Sequence, residues 1–296
     1  MAQVPEGIDP QQLTVVARRV LLDGLTALQE HLPALTIVGA QAVYLRTPDA
    51  AIKNAPFTSD GDLSIDPLLL GSDPLLDEAL AGAGFSLRNQ NQPGLWERPE
   101  RIEGKIVPVE LDLLIPRQQA PKTGKRSATV PPHGKMSARW IDGLEAASVD
   151  RSPMVVGSLE ASDTRRITVH VAGPAALLVA KAYKISDRLA DSESKPHRLA
   201  DKDAGDVLRI MMTTSAREVA ASFAVLVEDS RVGEVAVQGL AKLRELFGAP
   251  ATPGVQMAVN ALRGDVPEER IRTVAPAFTR RLTGPGRPLA YRALEL

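Results

Sequence analysis

Asp60, Asp62 and Asp112 are the residues whose types and spacing point most directly to chemistry. In Phe57-Thr58-Ser59-Asp60-Gly61-Asp62-Leu63-Ser64-Ile65-Asp66 the acids alternate with apolar or small residues, which is the period of a β-strand. A strand here points Asp60, Asp62, Ser64 and Asp66 to one face and Gly61, Leu63 and Ile65 to the other. Asp60 and Asp62 then lie roughly 7 Å apart along the strand, held on a core by the apolar side. Residues 105–115 repeat the pattern, with Glu110 and Asp112 on one face and Val109, Leu111 and Leu113 on the other. If the two strands are neighbours in one sheet, Asp112 joins the first two acids. Three carboxylates in one place suit a pair of Mg2+ ions roughly 4 Å apart, a phosphoryl-transfer arrangement. Asp66 lies further along and reads as a strand-end residue. A solvated polar sheet face is the competing reading. A calcium loop fails, because Ile65 stands where its sixth position needs glycine and Gly71 where its twelfth needs glutamate.

The surrounding pattern supplies elements to position these acids. Apolar residues at three- and four-residue steps predict a helix over 10–31, stopped by Pro33. A buried strand over 35–38 then enters a second helix at Gly39 and Ala40. Glycine at such a turn lets a phosphate approach the backbone and the free N–H groups of the helix, and it also serves simply as a tight turn. Residues 47–56 read as a loop and 73–84 as a helix, with strands expected over 95–98, 154–156 and 166–171. Beyond Gly173-Pro174 the pattern is helical, over 175–189, 200–212, 215–228, 235–246 and 255–282. The expected fold is α+β, a mixed sheet with flanking helices over 1–172 followed by a helical bundle over 173–296.

Residues 117–139 carry Arg117, Lys122, Lys125, Arg126, Lys135 and Arg139 and no acid. They read either as a solvated loop or as an electrostatic guide for a polyanion such as RNA. Gly134-Lys135 is not a phosphate-binding P-loop, since Thr129 and Met136 occupy two of its required positions. Lys181, Lys184 and Arg188 share a helix face and offer positive charge to a triphosphate, or form an ordinary solvated basic face. Lys202, Asp203 and Asp206 open the next helix, where the acids also complement the helix dipole. His133, His170 and His197 form no constellation with a serine or a metal spacing.

Composition bounds the function. The 296 residues are 44% hydrophobic and carry a net charge of -1, so any nucleic-acid contact must be local rather than global. Aromatics at 3% argue against a base-stacking platform. With no cysteine, disulfides, thiolate metal sites and a cysteine nucleophile are excluded. No apolar stretch approaches the roughly 18 residues of a membrane span, and the first residues lack a signal-peptide pattern, so a cytoplasmic location is expected.

Val38-Gly39-Ala40, Thr58-Ser59-Asp60-Gly61-Asp62-Leu63 and Glu110-Leu111-Asp112-Leu113-Leu114 together resemble the nucleotidyltransferase superfamily. Its motif is a Gly-Gly or Gly-Ser turn, then Asp-x-Asp, then a single acid on a neighbouring strand. The run from Pro174 through Lys181, Lys184 and Arg188, followed by Lys202-Asp203-Ala204-Gly205-Asp206, is similar to the lysine-bearing helix and Lys-Asp-x-x-Asp segment of the AbiEii/MenT-type abortive-infection (type IV toxin) enzymes. The resemblance spans roughly residues 10–215. It implies a nucleotidyltransferase domain over 1–172 and a Mg2+-dependent transfer of a nucleotide from a nucleoside triphosphate to RNA, in particular tRNA, with a cognate antitoxin as partner. Asp60, Asp62 and Asp112 would be metal ligands and catalytic, with Gly39, Ala40, Thr58, Lys181, Lys184, Lys202 and Asp203 binding nucleotide. Ala40 replaces the second Gly or Ser of the turn, and Pro56 stands where this group usually has arginine. A small-molecule, aminoglycoside-type transferase and a catalytically silent binding protein are the alternatives.

Overall fold

The computed structural model describes residues 5–50, 52, 57–120 and 126–282. Helix α1 (Pro10–Ala27) begins where the Asp9 carboxylate accepts the Gln11 N–H at 3.0 Å and Pro10 fixes φ at the first position. Its stripe of Leu13, Val16, Val20, Leu21 and Leu25 is buried, as the spacing predicts. The helix is shorter than expected. Leu28 donates its N–H back to Gly24, and a 3-10 helix, Gln29–Ala34, carries Pro33 within it. The apolar stripe runs out at Leu28, where the chain must turn to enter the sheet, so Pro33 follows the stop rather than causing it.

Strand β1 (Leu35–Val38) is buried throughout and leads directly into α2 (Gly39–Arg46). Next come β2 (Asp60–Ile65), α3 (Leu76–Gly82), β3 (Ser86–Leu87), β4 (Leu95–Ile102), β5 (Lys105–Pro116), β6 (Arg139–Ile141), β7 (Arg151–Gly157) and β8 (Arg166–Ala172). They form one eight-stranded sheet in the order β3-β4-β5-β2-β1-β8-β7, with β6 added beside β5. The pairs β2–β5, β1–β8 and β5–β6 are parallel and the others antiparallel, so the sheet is mixed and the fold α+β. β6 meets β5 at residues 114–116, beyond the point where β4 leaves that edge of β5.

α1 covers one face of this sheet. Gly61 permits the close approach, since a Cβ there would meet Leu21 and Leu111 at 3.2 Å, and Gly24 makes room for the Leu111 side chain in the same way. Among the described residues six α-helices follow: α4 (Pro174–Ala190), α5 (Asp201–Thr213), α6 (Ala216–Glu228), α7 (Gly233–Phe247), α8 (Pro253–Ala261) and α9 (Glu268–Leu282). The start of α4 is capped from the sheet: Asp150 Oδ2 accepts the Ala176 N–H at 2.8 Å, and Gly173 leaves room for that carboxylate. One apolar cluster runs from α1 through β1, β2 and β5 into α4–α9, so the boundary near 172 is a change of secondary structure without a break in the core.

Two further expectations need correction. The strand over 57–66 is confined to Asp60–Ile65, and its polar face is wet only at the start, because Ser64 and Asp66 are buried and Arg231 approaches Asp66 to 3.7 Å. Residues 126–139 are not a solvated loop: Ala128, His133, Ser137 and Ala138 are buried, and the segment ends in β6. Lys122, Lys125 and Pro56 lie outside the described residues. His133 has a buried partner the sequence did not suggest, His31, with ring centroids 5.5 Å apart; the two rings bond the carbonyls of Gly71 and Pro74, which fastens residues 71–74 to the body. Among the described residues no single helix is long and apolar enough to cross a membrane.

Candidate functional site

The sheet register gathers the acids. β2 and β5 run parallel with Asp62 beside Asp112 and Asp60 beside Glu110. On its other edge β2 pairs with β1, which sets Val38 opposite Asp62 and delivers Gly39 to the Asp62 carboxylate. Gly39 has φ +65°, and a Cβ on it would overlap Asp62 Oδ2, so glycine is required both by conformation and by space. The turn it makes starts α2 with no side-chain cap, leaving the first N–H groups, including that of Ala40, without a side-chain acceptor. Thr58, fully buried, donates its hydroxyl to Asp60 Oδ1 at 2.6 Å and so orients that carboxylate.

Burial and mutual repulsion dominate the electrostatics. Asp62 is pushed up to about 6, by burial first and then by Asp60, with Lys184, Arg139 and Lys181 acting in the opposite direction. Asp112 is held well above the usual carboxylate range by burial, although Arg139 opposes this. Arg139 Nη2 donates to Asp112 Oδ2 at 2.5 Å. The second oxygen, Oδ1, is buried and has no hydrogen-bond partner. Glu110, the remaining acid of this face, is paired with Arg88 at 2.7 Å.

The expected phosphate-binding cations behave unequally. Lys181 is buried and its ammonium is held by Asp203 at 2.8 Å and Asp206 at 2.6 Å. Lys184 and Arg188 converge on the same Asp203, at 3.0 and 2.6 Å, so three cations of α4 share two aspartates of α5. These contacts raise the Lys181 ammonium and depress the Asp203 carboxyl, in each case against burial. Lys184 keeps an exposed side chain and still acts on Asp62. Lys202 differs: its ammonium sits 5.2 Å from the centre of the Phe57 ring, within electrostatic reach of Asp60, and burial draws it below its usual value. Next to it Tyr44 donates its hydroxyl to the Phe57 carbonyl at 2.9 Å and lies under Arg209.

Asp60, Asp62, Asp112, Gly39, Ala40 and Thr58 therefore belong to one place, with Lys184 and Lys202 within electrostatic range. Lys181 and Asp203 form the ionic joint between α4 and α5 beside it. Arg139 is the member that sequence reasoning missed; it was one basic residue among several, and only the pairing of β6 with β5 brings it to Asp112.

Three carboxylates are hard oxygen donors of the kind Mg2+ takes, and the partnerless buried oxygen of Asp112 fits such a ligand. Among the described residues no group of three or more His, Asp or Glu side chains is placed to hold a metal ion, so joint ligation by Asp60, Asp62 and Asp112 needs their side chains to converge. Set against family models, curated proteins and solved structures, the chain matches none of them.

Proposed function

We propose that the chain is a Mg2+-dependent nucleotidyltransferase of the AbiEii/MenT-like kind, which moves a nucleotide from a nucleoside triphosphate to an acceptor hydroxyl, with RNA and in particular tRNA as the acceptor. The observation that carries this reading is the meeting of Asp62 with Asp112 on one side and with the Gly39 turn on the other. In this reading the acids that would hold metal and the turn whose N–H groups would hold phosphate stand next to each other. The exposed Arg126 and Lys135 offer local positive charge to a polyanion, although the chain as a whole has none to spare. In this reading the protein works in the cytoplasm and a cognate antitoxin restrains it.

The chemistry assigns roles as follows. The acceptor oxygen forms a bond to the α-phosphorus, the bond from that phosphorus to the β-phosphate oxygen breaks, pyrophosphate leaves, and the hydroxyl proton passes to the Asp112 carboxylate. Divalent cations bound by Asp60, Asp62 and Asp112 would neutralise the phosphate charge and favour the alkoxide. The N–H groups of Gly39 and Ala40 and the ammonium groups of Lys184 and Lys202 hold the triphosphate. Thr58 fixes the Asp60 oxygen it bonds. Lys181 and Asp203 set the position of Lys184 and Arg188. Most of the rate enhancement in such a site comes from positioning and charge stabilisation.

The test is transfer of label from an α-labelled nucleoside triphosphate to total RNA and, in a parallel arm, to a panel of small alcohols and aminoglycosides. Asp60→Ala, with its fold verified by circular dichroism, is expected to abolish transfer; full activity in that variant would overturn the metal assignment. Labelling only of small alcohols would move the acceptor to the aminoglycoside class. A second reading, a catalytically silent protein that keeps the fold without binding or turning over a triphosphate, is favoured by one observation: Lys181, Arg188 and Asp112 are all engaged in internal ion pairs. Absence of triphosphate binding by calorimetry in the presence of Mg2+ would select it.

A further inference from the structure

Arg139 is installed against Asp112 by the backbone on both sides of it. β6 pairs in parallel with the end of β5, setting Arg139 opposite Leu114, two residues beyond Asp112 on the same face. On the other side Arg139 bridges to Ser127, the flanking Ala138 carbonyl accepts the Ala128 N–H at 3.2 Å, and Trp140 donates to the Arg126 carbonyl at 3.0 Å. Gly94, at φ +70°, lets this backbone come close, since a Cβ there would run into the Arg139 N and the Leu113 carbonyl.

The ion pair held in this way is one-armed. Nη2 meets Oδ2, while Asp112 Oδ1 and Arg139 Nε are both buried with no hydrogen-bond partner. An arginine–carboxylate pair built for stability alone gains most by using two parallel bonds, and buried polar atoms are rarely left unpaired. Here one oxygen is withheld from the guanidinium in a place that also contains Asp60 and Asp62.

We propose that Arg139 is a built-in counter-ion that competes with a divalent cation for Asp112, so that the third acid is neutralised by the protein when metal is absent and surrendered when metal arrives. This rests on the metal reading of Asp60, Asp62 and Asp112. A guanidinium and a divalent cation on one carboxylate repel each other, and Arg139 also lies within electrostatic range of Asp62. Arg139 therefore sets how tightly metal is held, and it keeps an otherwise uncompensated buried carboxylate tolerable in the metal-free protein.

The experiment is a calorimetric titration of the full chain with Mn2+ at constant pH, for the wild type, Arg139→Gln, Arg139→Lys and Asp62→Asn. Arg139→Gln is expected to bind Mn2+ roughly 5–150-fold more tightly than wild type, the usual span of a coupling between two sites. Its melting temperature should fall in chelator and recover more on adding Mn2+ than the wild type gains. Arg139→Lys keeps the charge but loses the fork, so its affinity should lie between the two; if the glutamine variant does not fold, this one carries the test. Equal or weaker Mn2+ binding in the Arg139 variants, with Asp62→Asn still reducing it, would overturn the competition and leave the acid centre standing. No Mn2+ binding by any form would remove the metal reading and this inference with it.

Discussion

Gly39 lies directly against the carboxylate of Asp62, brought there because Val38 is the residue that pairs with Asp62 across β1 and β2. The relationship is steric as well as chemical: neither the backbone conformation nor the space admits a side chain. Gly39→Ala is therefore expected to lose about 1–3 kcal/mol of stability from the positive φ alone. It should also displace the Asp62 carboxylate and weaken Mn2+ binding. Urea denaturation and Mn2+ titration check the two effects, and an alanine variant with wild-type values in both would show that the turn does not constrain Asp62.

Lys181 and Lys184 lie three residues apart on α4 but should respond differently to truncation. Removing the Lys181 ammonium takes from the buried Asp206 its ion-pair partner and leaves Asp203 to Lys184 and Arg188, and breaking a buried pair typically costs about 3–5 kcal/mol. Lys184 is exposed and Asp203 keeps Lys181 and Arg188 without it, so its loss should cost no more than an exposed pair contributes, about 0–1 kcal/mol. Denaturation of Lys181→Ala and Lys184→Ala should show this contrast. If Lys184→Ala abolishes label transfer at nearly full stability, the effect belongs to the site; loss of activity in Lys181→Ala alone would be attributable to the fold.

The raised Asp62 carboxyl gives a pH signature for the metal-free protein. Its usual value is 3.8 and its folded value about 6, so between these the folded chain binds more protons than the unfolded chain. Stability from this group is then highest below the lower value and declines as pH rises through the window, with no further change above it. Asp62→Asn cannot titrate and lacks that decline. Measured in chelator, the variant should gain on the wild type between about pH 4 and pH 6 and hold a constant advantage at higher pH. An advantage that grows on acidification would contradict the burial of the Asp62 charge.

Much of this arrangement is legible in the chain itself, for local reasons. The alternation of acids with Gly61, Leu63 and Ile65 reports a strand with two unlike faces, and the Val38-Gly39 step reports a strand that ends in a helix. The repeat of that alternation at Glu110 to Leu113 reports a second strand of the same kind, and the parallel pairing of β2 with β5 is what sets Asp112 beside Asp62. What escapes is non-local. Arg139 reaches Asp112 through a three-residue strand that no periodicity marks, beside Gly94, whose φ of +70° shows only in the fold. Lys181 shows a helix-face pattern identical to that of a free basic surface, and only the packing of α4 on α5 reveals that Asp203 and Asp206 occupy it. The burial of Ser64 and Asp66 depends likewise on what covers the far end of β2, including the Arg231 side chain.

The central claim is that Asp60, Asp62 and Asp112 hold a divalent cation against the phosphates of a nucleotide seated at the Gly39 turn. Crystals grown with Mn2+ and a non-hydrolysable nucleoside triphosphate analogue, measured for anomalous scattering at the manganese edge, test it most directly. The account predicts an anomalous peak in contact with Asp60, Asp62 and the Oδ1 oxygen of Asp112, with the triphosphate against the N–H groups of Gly39 and Ala40. A bound triphosphate whose manganese touches none of the three aspartates would contradict it.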